Sequence, residues 1–371
     1  MDFKIEREEL LRGIQKAQNI VEKRTTMPIL SNILLEVQNS SLAVTATDLE
    51  IGFKGSYSAQ VSAPGASTIS GKKLYEIVRS LSSSEVHLSE IEGTRIQIKG
   101  GSATYSLMSL PAEDFPPLPR YDEAATLKAP ASQLGEMIEK VLISVAAEEM
   151  RFNLSGVFVE KVDSETAPRL RLVSTDGHRL SMADRELPGV GDLDLAKGVI
   201  LPRKGLVELA RLLGDEGEVE FGFQNNSAVF RKDEVTLVMR LVEGSFPDYR
   251  LVLPKGSSRE VRAQRGLLLE ALRRMSVLLS EKFRGVKLDL APGKLTLSVN
   301  NPEIGQAEEV IPVDYEGTPL AIGFNARYLV DALGVMRSDQ IQVGFNEEAN
   351  PCQVSGPEDT GALCIIMPMR I

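Results

Sequence analysis

The chain has 371 residues, 43% hydrophobic and 25% charged, and a net charge of −10. That length exceeds one ordinary core and fits two or three domains, and the composition is that of a chain that folds throughout. Two cysteines, Cys352 and Cys364, without a CxxC pair exclude a disulfide framework and argue against a zinc site, so neither metal nor cofactor is expected. The first residues, MDFKIEREELLRG, carry charge from the second position, and no apolar stretch approaches the roughly 20 residues that span a bilayer. A soluble, cytoplasmic protein without a membrane partner is expected.

In chain order, FKIE reads as a strand before an amphipathic helix from about Glu8 to Val21. Strand signals follow in NILLEVQ and LAVTATDLEIGF, then a helix in GKKLYEIVRSL, then the strands VHLSEI, RIQIKG and ATYSLMSL. The succession stops at DFPPLP, where prolines cannot donate to a ladder. It restarts at TLKAPASQLGEMIEKVLISVA, with a helix over 134–145, runs through GVFVEKV, LRLVSTDGHRL, the helix PRKGLVELARLL and three further strands, and stops at SFPDY. A third pass begins near EVRAQRGLLLEALRRMSVLL, includes VKLDLA, LTLSVNN and the helix NARYLVDALGVM, and ends on ALCIIMPMRI.

These are three copies of one unit. Thr47-Asp48, Thr175-Asp176 and Asn300-Asn301 fall at the same strand end, roughly 125 residues apart, a typical domain size. The expected class is α+β with domains over 1–125, 126–250 and 251–371.

The helices show two faces. Leu10, Ile14, Ala17 and Val21 form an apolar stripe opposite Arg12, Lys16, Asn19 and Lys23. Leu74, Ile77, Val78 and Leu81 leave Lys72 and Arg79 opposite, and Leu206, Leu209, Ala210 and Leu213 leave Lys204 and Arg211. Leu268, Leu272, Met275 and Leu279 leave Arg273 and Arg274 outward, whereas 134–145 offers only Lys140 beside Glu136 and Glu139. Basic faces in an acidic chain imply segregated charge, with acids gathered elsewhere, as at 148–150, 214–220 and 346–348. Such faces suit DNA phosphates, and with no base-reading motif the contact would be independent of base sequence and sensitive to salt.

An enzyme reading would pair Asp176 with His178, but GxSxG, Walker A and HExxH motifs are absent. TDGHR reads more simply as a tight turn in which Gly supplies positive φ and Asp caps local amides. His87, in VHLSEI, reads as an ordinary half-buried side chain. No catalytic residue is expected.

TDLE (47–50), LPAEDFP (110–116), TDGHRL (175–180), PRKG (202–205), FPDYR (246–250), EKFRG (281–285) and the final MPMRI together resemble the bacterial DNA polymerase III beta subunit, the DNA sliding clamp family. The resemblance implies a head-to-tail homodimer of three-domain subunits, a ring with antiparallel sheets outside and helices lining a central hole around double-stranded DNA. It implies as partners the replicative DNA polymerase catalytic subunit, the clamp loader and other clamp-motif proteins of repair and replication control. Family DNA contacts carry over to Arg24, Lys72, Glu148, Phe152 and Asn153, although Glu148 replaces a neutral amide and Asn153 an aromatic residue of the best-known member. The family's peptide pocket carries over to Leu154, Thr175, Gly177, His178, Arg179, Leu180, Pro247, Val252, Asn325, Tyr328, Ile366, Met367, Pro368, Met369 and Arg370. Leu251 stands at a basic position of that member, which makes the pocket more apolar here. The subunit contact would pair Tyr105 and Leu107 with Val277 and Leu278 of the second chain. A repeat scaffold that binds only proteins is the competing reading.

Overall fold

A computed structural model describes residues 1–21, 26–91, 94–119, 125–146, 152–193, 195, 197–253, 256–347 and 350–370. The first repeat runs β1 (Asp2–Glu6), α1 (Arg7–Ile20), a 3-10 turn (Pro28–Ser31), β2 (Asn32–Gln38), β3 (Ser41–Thr47), β4 (Ile51–Ser58), β5 (Gln60–Ala63), β6 (Gly65–Ser70), α2 (Gly71–Ser80), β7 (Glu85–Ile91), β8 (Arg95–Gly100) and β9 (Ala103–Leu110). The second runs β10 (Thr126–Pro130), α3 (Ala131–Leu142), a 3-10 turn (Phe152–Leu154), β11 (Gly156–Val162), β12 (Arg169–Thr175), β13 (Arg179–Glu186), β14 (Val199–Pro202), α4 (Arg203–Leu213), β15 (Glu218–Gln224), β16 (Ser227–Lys232) and β17 (Val235–Arg240). The third runs β18 (Arg259–Gln264), α5 (Arg265–Ser276), β19 (Gly285–Ala291), β20 (Lys294–Asn301), β21 (Gly305–Pro312), β22 (Leu320–Asn325), α6 (Ala326–Val335), β23 (Gln340–Phe345), β24 (Cys352–Ser355) and β25 (Ala362–Ile366). The order strand, helix, strands, helix, three strands recurs three times, as the sequence periodicity predicts.

Every described strand pairing is antiparallel. One sheet has the order β10-β15-β16-β17-β4-β3-β2-β6-β9-β8-β7-β1-β5, a second β14-β11-β12-β13-β25-β24-β23-β18, and a third β21-β20-β19-β22. Repeats are thus joined by ladders: β4 pairs with β17 from Ile51↔Met239 to Gly55↔Val235, and β13 pairs with β25 from Arg179↔Ile366 to Ala183↔Ala362. By contact the chain divides into two compact units, one of Met1–Ala131, Asp192–Asp194 and Lys204–Leu241, the other of Ser132–Gly191, Leu195–Arg203 and Val242–Ile371.

In the first unit α1 buries Leu10, Ile14, Ala17 and Ile20, and α2 buries Leu74 and Val78. Ile20 takes the end of the stripe assigned to Val21 from sequence. α1 packs on α2 and on β3 and β4, and Ser70 caps α2 by accepting from Lys73 N. In the second unit Leu268, Leu272 and Met275 of α5 share a core with Leu329 and Leu333 of α6 and the sheet residues Leu288, Leu297, Phe324 and Val354. Burying these apolar stripes is the main stabilising term, at about 25 cal/mol per Å² removed from water.

Two expectations are corrected. Lys140 is not on a free face: its side chain is 2% exposed, with Nζ 2.6 Å from Glu136 Oε1 and 2.7 Å from Asp359 Oδ1. Nor are the basic faces free of acids. Glu9 pairs with Arg12, Glu76 with Lys73 at 2.8 Å and Lys72 at 4.0 Å, Glu208 with Arg211, and Glu270 with Arg273 at 2.7 Å. Carboxylates set three or four residues away share these faces, as i,i+3 and i,i+4 geometry favours. Lys23 and residues 148–150 and 348 of the expected charge pattern lie outside the described residues.

Candidate functional site

The turn between β12 and β13 holds itself by local hydrogen bonds. Thr175 Oγ1 donates to Arg179 O (2.7 Å) and accepts from Gly177 N (3.1 Å), while Asp176 Oδ1 accepts from His178 N (2.9 Å) and Arg179 N (3.0 Å). Gly177 has φ 89°, which a side chain would strain. Asp176 therefore acts as a turn cap, and its other oxygen accepts from Arg179 Nε at 3.1 Å. His178 is exposed, and its carbonyl accepts from Met367 N at 2.9 Å, which extends the β13–β25 ladder to the C-terminal segment.

Arg179 is fixed on three sides. Besides Asp176, Nη1 donates to Asp331 at 2.7 Å, and the guanidinium lies 4.3 Å from the centre of the Tyr328 ring. Burial first, then the nearby Asp176, raises the phenol pKa of Tyr328, so it stays neutral beneath that cation. Asn325 spends its side-chain oxygen capping α6 through Arg327 N at 3.1 Å.

Beside the turn lies an apolar floor. Val173, Leu180, Tyr249 and Ile365 are buried together, with Phe158, Met182, Phe246, Leu253 and Leu363 packed against them. Phe158 and Phe246 stack with centroids 5.1 Å apart. Near it in sequence stand exposed apolar side chains: Leu251 (83% exposed), Val252 (46%), Met367 (40%) and Met369 (38%). Pro247 and Arg370 are exposed, Pro368 is half-buried and Leu154 is buried. Met369 N donates to Gly323 O at 2.9 Å, which pins the terminal segment against β22. Ile366 faces away into the core of the third repeat, and its neighbour Ile365 joins the Leu180 floor, as strand alternation requires.

A polar network that sequence reasoning missed positions Tyr249. Arg171 forks onto Asp184 with two 2.7 Å bonds and donates to the Tyr249 hydroxyl at 2.9 Å; that hydroxyl donates in turn to Glu160. Arg250 completes it, 2.6 Å from Glu160. The hydrogen bonds to Asp184 hold the Arg171 pKa above its ordinary value despite burial, and burial raises that of Tyr249. Only the distances between β11, β12 and β13 in register bring Glu160, Arg171 and Asp184 into one row, and no local motif signals it.

Of the expected nucleic-acid contacts, Lys72 is exposed at the start of α2, and Asn153 is half-buried with Nδ2 donating to Ser245 O at 3.0 Å. Arg24 and Glu148 lie outside the described residues, as does the side chain of Phe152, whose backbone opens a 3-10 turn. Of the expected interface residues, Tyr105 is exposed and Leu107 half-exposed on β9, Val277 is 78% exposed after α5, and Leu278 is half-buried. Among the described residues β9 meets β6 only at Ser109 and Leu110, and its 103–108 stretch pairs on one side alone, with β8. β21 is likewise the edge of its sheet.

Family models match along the whole chain: the N-terminal domain of the DNA polymerase III beta subunit over 1–119, its central domain over 128–248 and its C-terminal domain over 250–370. The chain belongs to the DNA polymerase III beta subunit family. The beta sliding clamp of Pseudomonas putida KT2440 is 39% identical over 100% of both chains. The crystal structure of the DNA polymerase sliding clamp from Caulobacter crescentus matches with TM-score 0.92 at 36% identity, covering 100% of both chains. That of the Bartonella birtlesii sliding clamp, bound to griselimycin, matches with TM-score 0.94 at 34% identity and the same coverage. The threefold repeat of strands and helices is therefore a set of three clamp domains, α+β with antiparallel sheets. Among the described residues no group of three or more His, Cys, Asp and Glu could hold a metal, and no helix is long and apolar enough to cross a membrane.

Proposed function

We propose that this chain is a DNA sliding clamp and processivity factor, not an enzyme, which encircles duplex DNA as a head-to-tail homodimer and tethers the replicative polymerase. Full-length membership of the beta subunit family is the observation that carries this reading. We assign clamp domains to 1–125, 126–250 and 251–371, and cytoplasmic work beside the clamp loader and other clamp-motif proteins.

The cleft at Thr175–Leu180, bordered by Tyr328, Val252 and Met367–Arg370, is the proposed peptide site. Its support is the exposure of Leu251, Val252, Met367 and Met369, which stand next in sequence to residues of a buried apolar floor. Unbranched methionines adapt to several related sequences, which suits a site shared by many partners. The edges of β9 and β21, with Tyr105, Leu107, Val277 and Leu278, are the proposed subunit contact, since pairing would cover strand edges that invite aggregation.

DNA would be held by topology, with Arg24, Lys72, Glu148, Phe152 and Asn153 near the duplex. Lysines and arginines already paired with same-face glutamates make weak phosphate contacts, which sliding needs. The test is to load the protein on nicked circular DNA and linearise it. Loss from the linear form is expected, and unchanged retention would overturn the reading. Charge reversal at Arg24 and Lys72 separates the clamp from a protein-only scaffold, which would leave DNA-dependent synthesis unaffected.

A further inference from the structure

Two joints between repeats lie within the chain, at the β4–β17 and β13–β25 ladders. Beside each stands a turn aspartate, Asp48 or Asp176, and the third repeat has Asn301 at the same strand end. All three accept from the amide two residues on: Glu50 N (3.0 Å), His178 N (2.9 Å) and Glu303 N (3.0 Å). The other side-chain atom is used differently. Asp48 Oδ2 pairs with Lys204 Nζ from α4 of the next repeat, and that ammonium also donates to Ile20 O, the last carbonyl of α1, at 3.3 Å. Asp176 Oδ2 accepts from Arg179 Nε, and Arg179 carries the link on to Asp331 of α6. Both joints thus run an ion pair from the turn to the second helix of the following repeat.

The third turn does without one. Asn301 is buried and donates through Nδ2 to Leu278 O at 2.7 Å. Leu278 holds the place of Ile20: counted from the helix starts Arg7 and Arg265, Leu10, Ile14 and Ala17 match Leu268, Leu272 and Met275, and Ile20 matches Leu278. The helix-end carbonyl that Lys204 holds from outside at the first joint is held here by the turn's own amide. Leu278 O needs a donor while Glu303 N needs an acceptor, and a carboxylate offers only acceptors, whereas an amide offers one of each. The same count along the second helices, from Gly71 and Arg203, sets Lys72 at the place of Lys204 and Glu76 at that of Glu208.

We propose that Asn301 is a positioning residue that completes the third repeat's half of the subunit contact within the single chain, so that two copies join and part without orphaning a polar group. This rests on the reading of the β9 and β21 edges as that contact. By fixing the Leu278 carbonyl, Asn301 sets the exposed Val277 and its neighbour Leu278 before a second copy arrives, and a contact ordered in advance loses less freedom on association. The second copy's Lys72 then has neither carboxylate nor helix end to serve at this joint, and stays on the face assigned to DNA.

Sedimentation equilibrium of the full chain, without DNA, tests this as a double-mutant cycle. In the wild-type background Lys72→Met should change the dimer dissociation constant less than about twofold. Asn301→Asp removes the donor to Leu278 O and adds a carboxylate, so the contact should come to depend on that lysine. Lys72→Met should then weaken it about tenfold, and the Asn301→Asp dimer should loosen with added salt more steeply than wild type. Equal effects of Lys72→Met in the two backgrounds overturn the proposal. If Asn301→Asp does not fold, the reverse exchange at the first joint decides. Lys204→Met should lower the thermal midpoint, and adding Asp48→Asn, which gives the first turn the amide of the third, should restore at least about half of the loss. Asp48→Ser keeps an acceptor but is too short to reach Ile20 O, and should restore less. No restoration by Asp48→Asn, or as much by Asp48→Ser, overturns the proposal. A wild type that stays monomeric at every concentration would instead refute the subunit-contact reading.

Discussion

Lys140 Nζ lies 2.7 Å from Asp359 Oδ1, joining α3 to a loop 219 residues away with both side chains buried. Asp359 also accepts from Arg337 N (2.9 Å), Ser338 N (3.0 Å) and Ser338 Oγ (2.6 Å), and Glu136 gathers Lys140 and Arg185 on the other side. Removing one partner of a buried pair leaves an uncompensated charge. Lys140→Ala should therefore cost about 3–5 kcal/mol in urea unfolding, whereas Lys140→Met with Asp359→Asn should recover part of that loss.

The same pair predicts a pH dependence. Burial opposes the Asp359 charge, but hydrogen bonds from Lys140, Ser338 and two backbone amides outweigh it and hold the carboxyl well below the usual range. A depressed folded pKa gives stability that is fully present above the unfolded value of 3.8 and is lost as pH falls toward the folded one. The stability gap between wild type and Asp359→Asn should be constant from about pH 5 to 7 and should shrink below about pH 4. A gap that widens on acidification would contradict this.

At the proposed cleft, Arg179→Ala removes the stack on Tyr328 and leaves Asp176 and Asp331 without their cation. Peptide affinity measured by fluorescence anisotropy should fall about tenfold or more, and Met367→Ala or Met369→Ala should each cost several-fold, about 1 kcal/mol of lost apolar contact. Native mass should be unchanged in all three.

Subunit association should depend on the β9 edge and the segment after α5. Leu107→Arg or Leu278→Asp buries a charge in the proposed contact and should shift the protein to monomer in sedimentation velocity at micromolar concentration. Thermal unfolding should change little for Leu107→Arg, because Leu107 is half-exposed in the single chain, and should fall for Leu278→Asp, because Leu278 packs against the core of the third repeat.

For DNA, Lys72→Glu should lower the salt slope of binding by about one unit, the signature of one phosphate contact, without changing sequence preference. Lys72 shares Glu76 with Lys73, so its contribution is partly offset already.

The repeat and its helices were legible because apolar spacing is a local property: Leu10, Ile14 and Ala17 mark a buried stripe without knowledge of what covers it. Lys140 was misread because its burial is set by Asp359, and no window over α3 contains that residue. The expected basic faces carry acids as well, for a related reason. Glu9, Glu76, Glu208 and Glu270 lie one helical turn from the cations they meet, and reading each face by its basic residues overlooked them. At the cleft, TDGHR was visible as a turn, but the Arg171–Tyr249–Glu160 mooring arises from strand register and leaves no local mark.

The ladders between repeats bear on the covalent chain itself. Five residue pairs bind β4 to β17, and five more bind β13 to β25. A backbone cut in the segments linking repeats would leave each fragment clipped to the next by hydrogen bonds and side-chain packing. Continuity of the polypeptide is thus mechanically redundant at those joints, and the protein is spliced together by its sheets as much as by its peptide bonds.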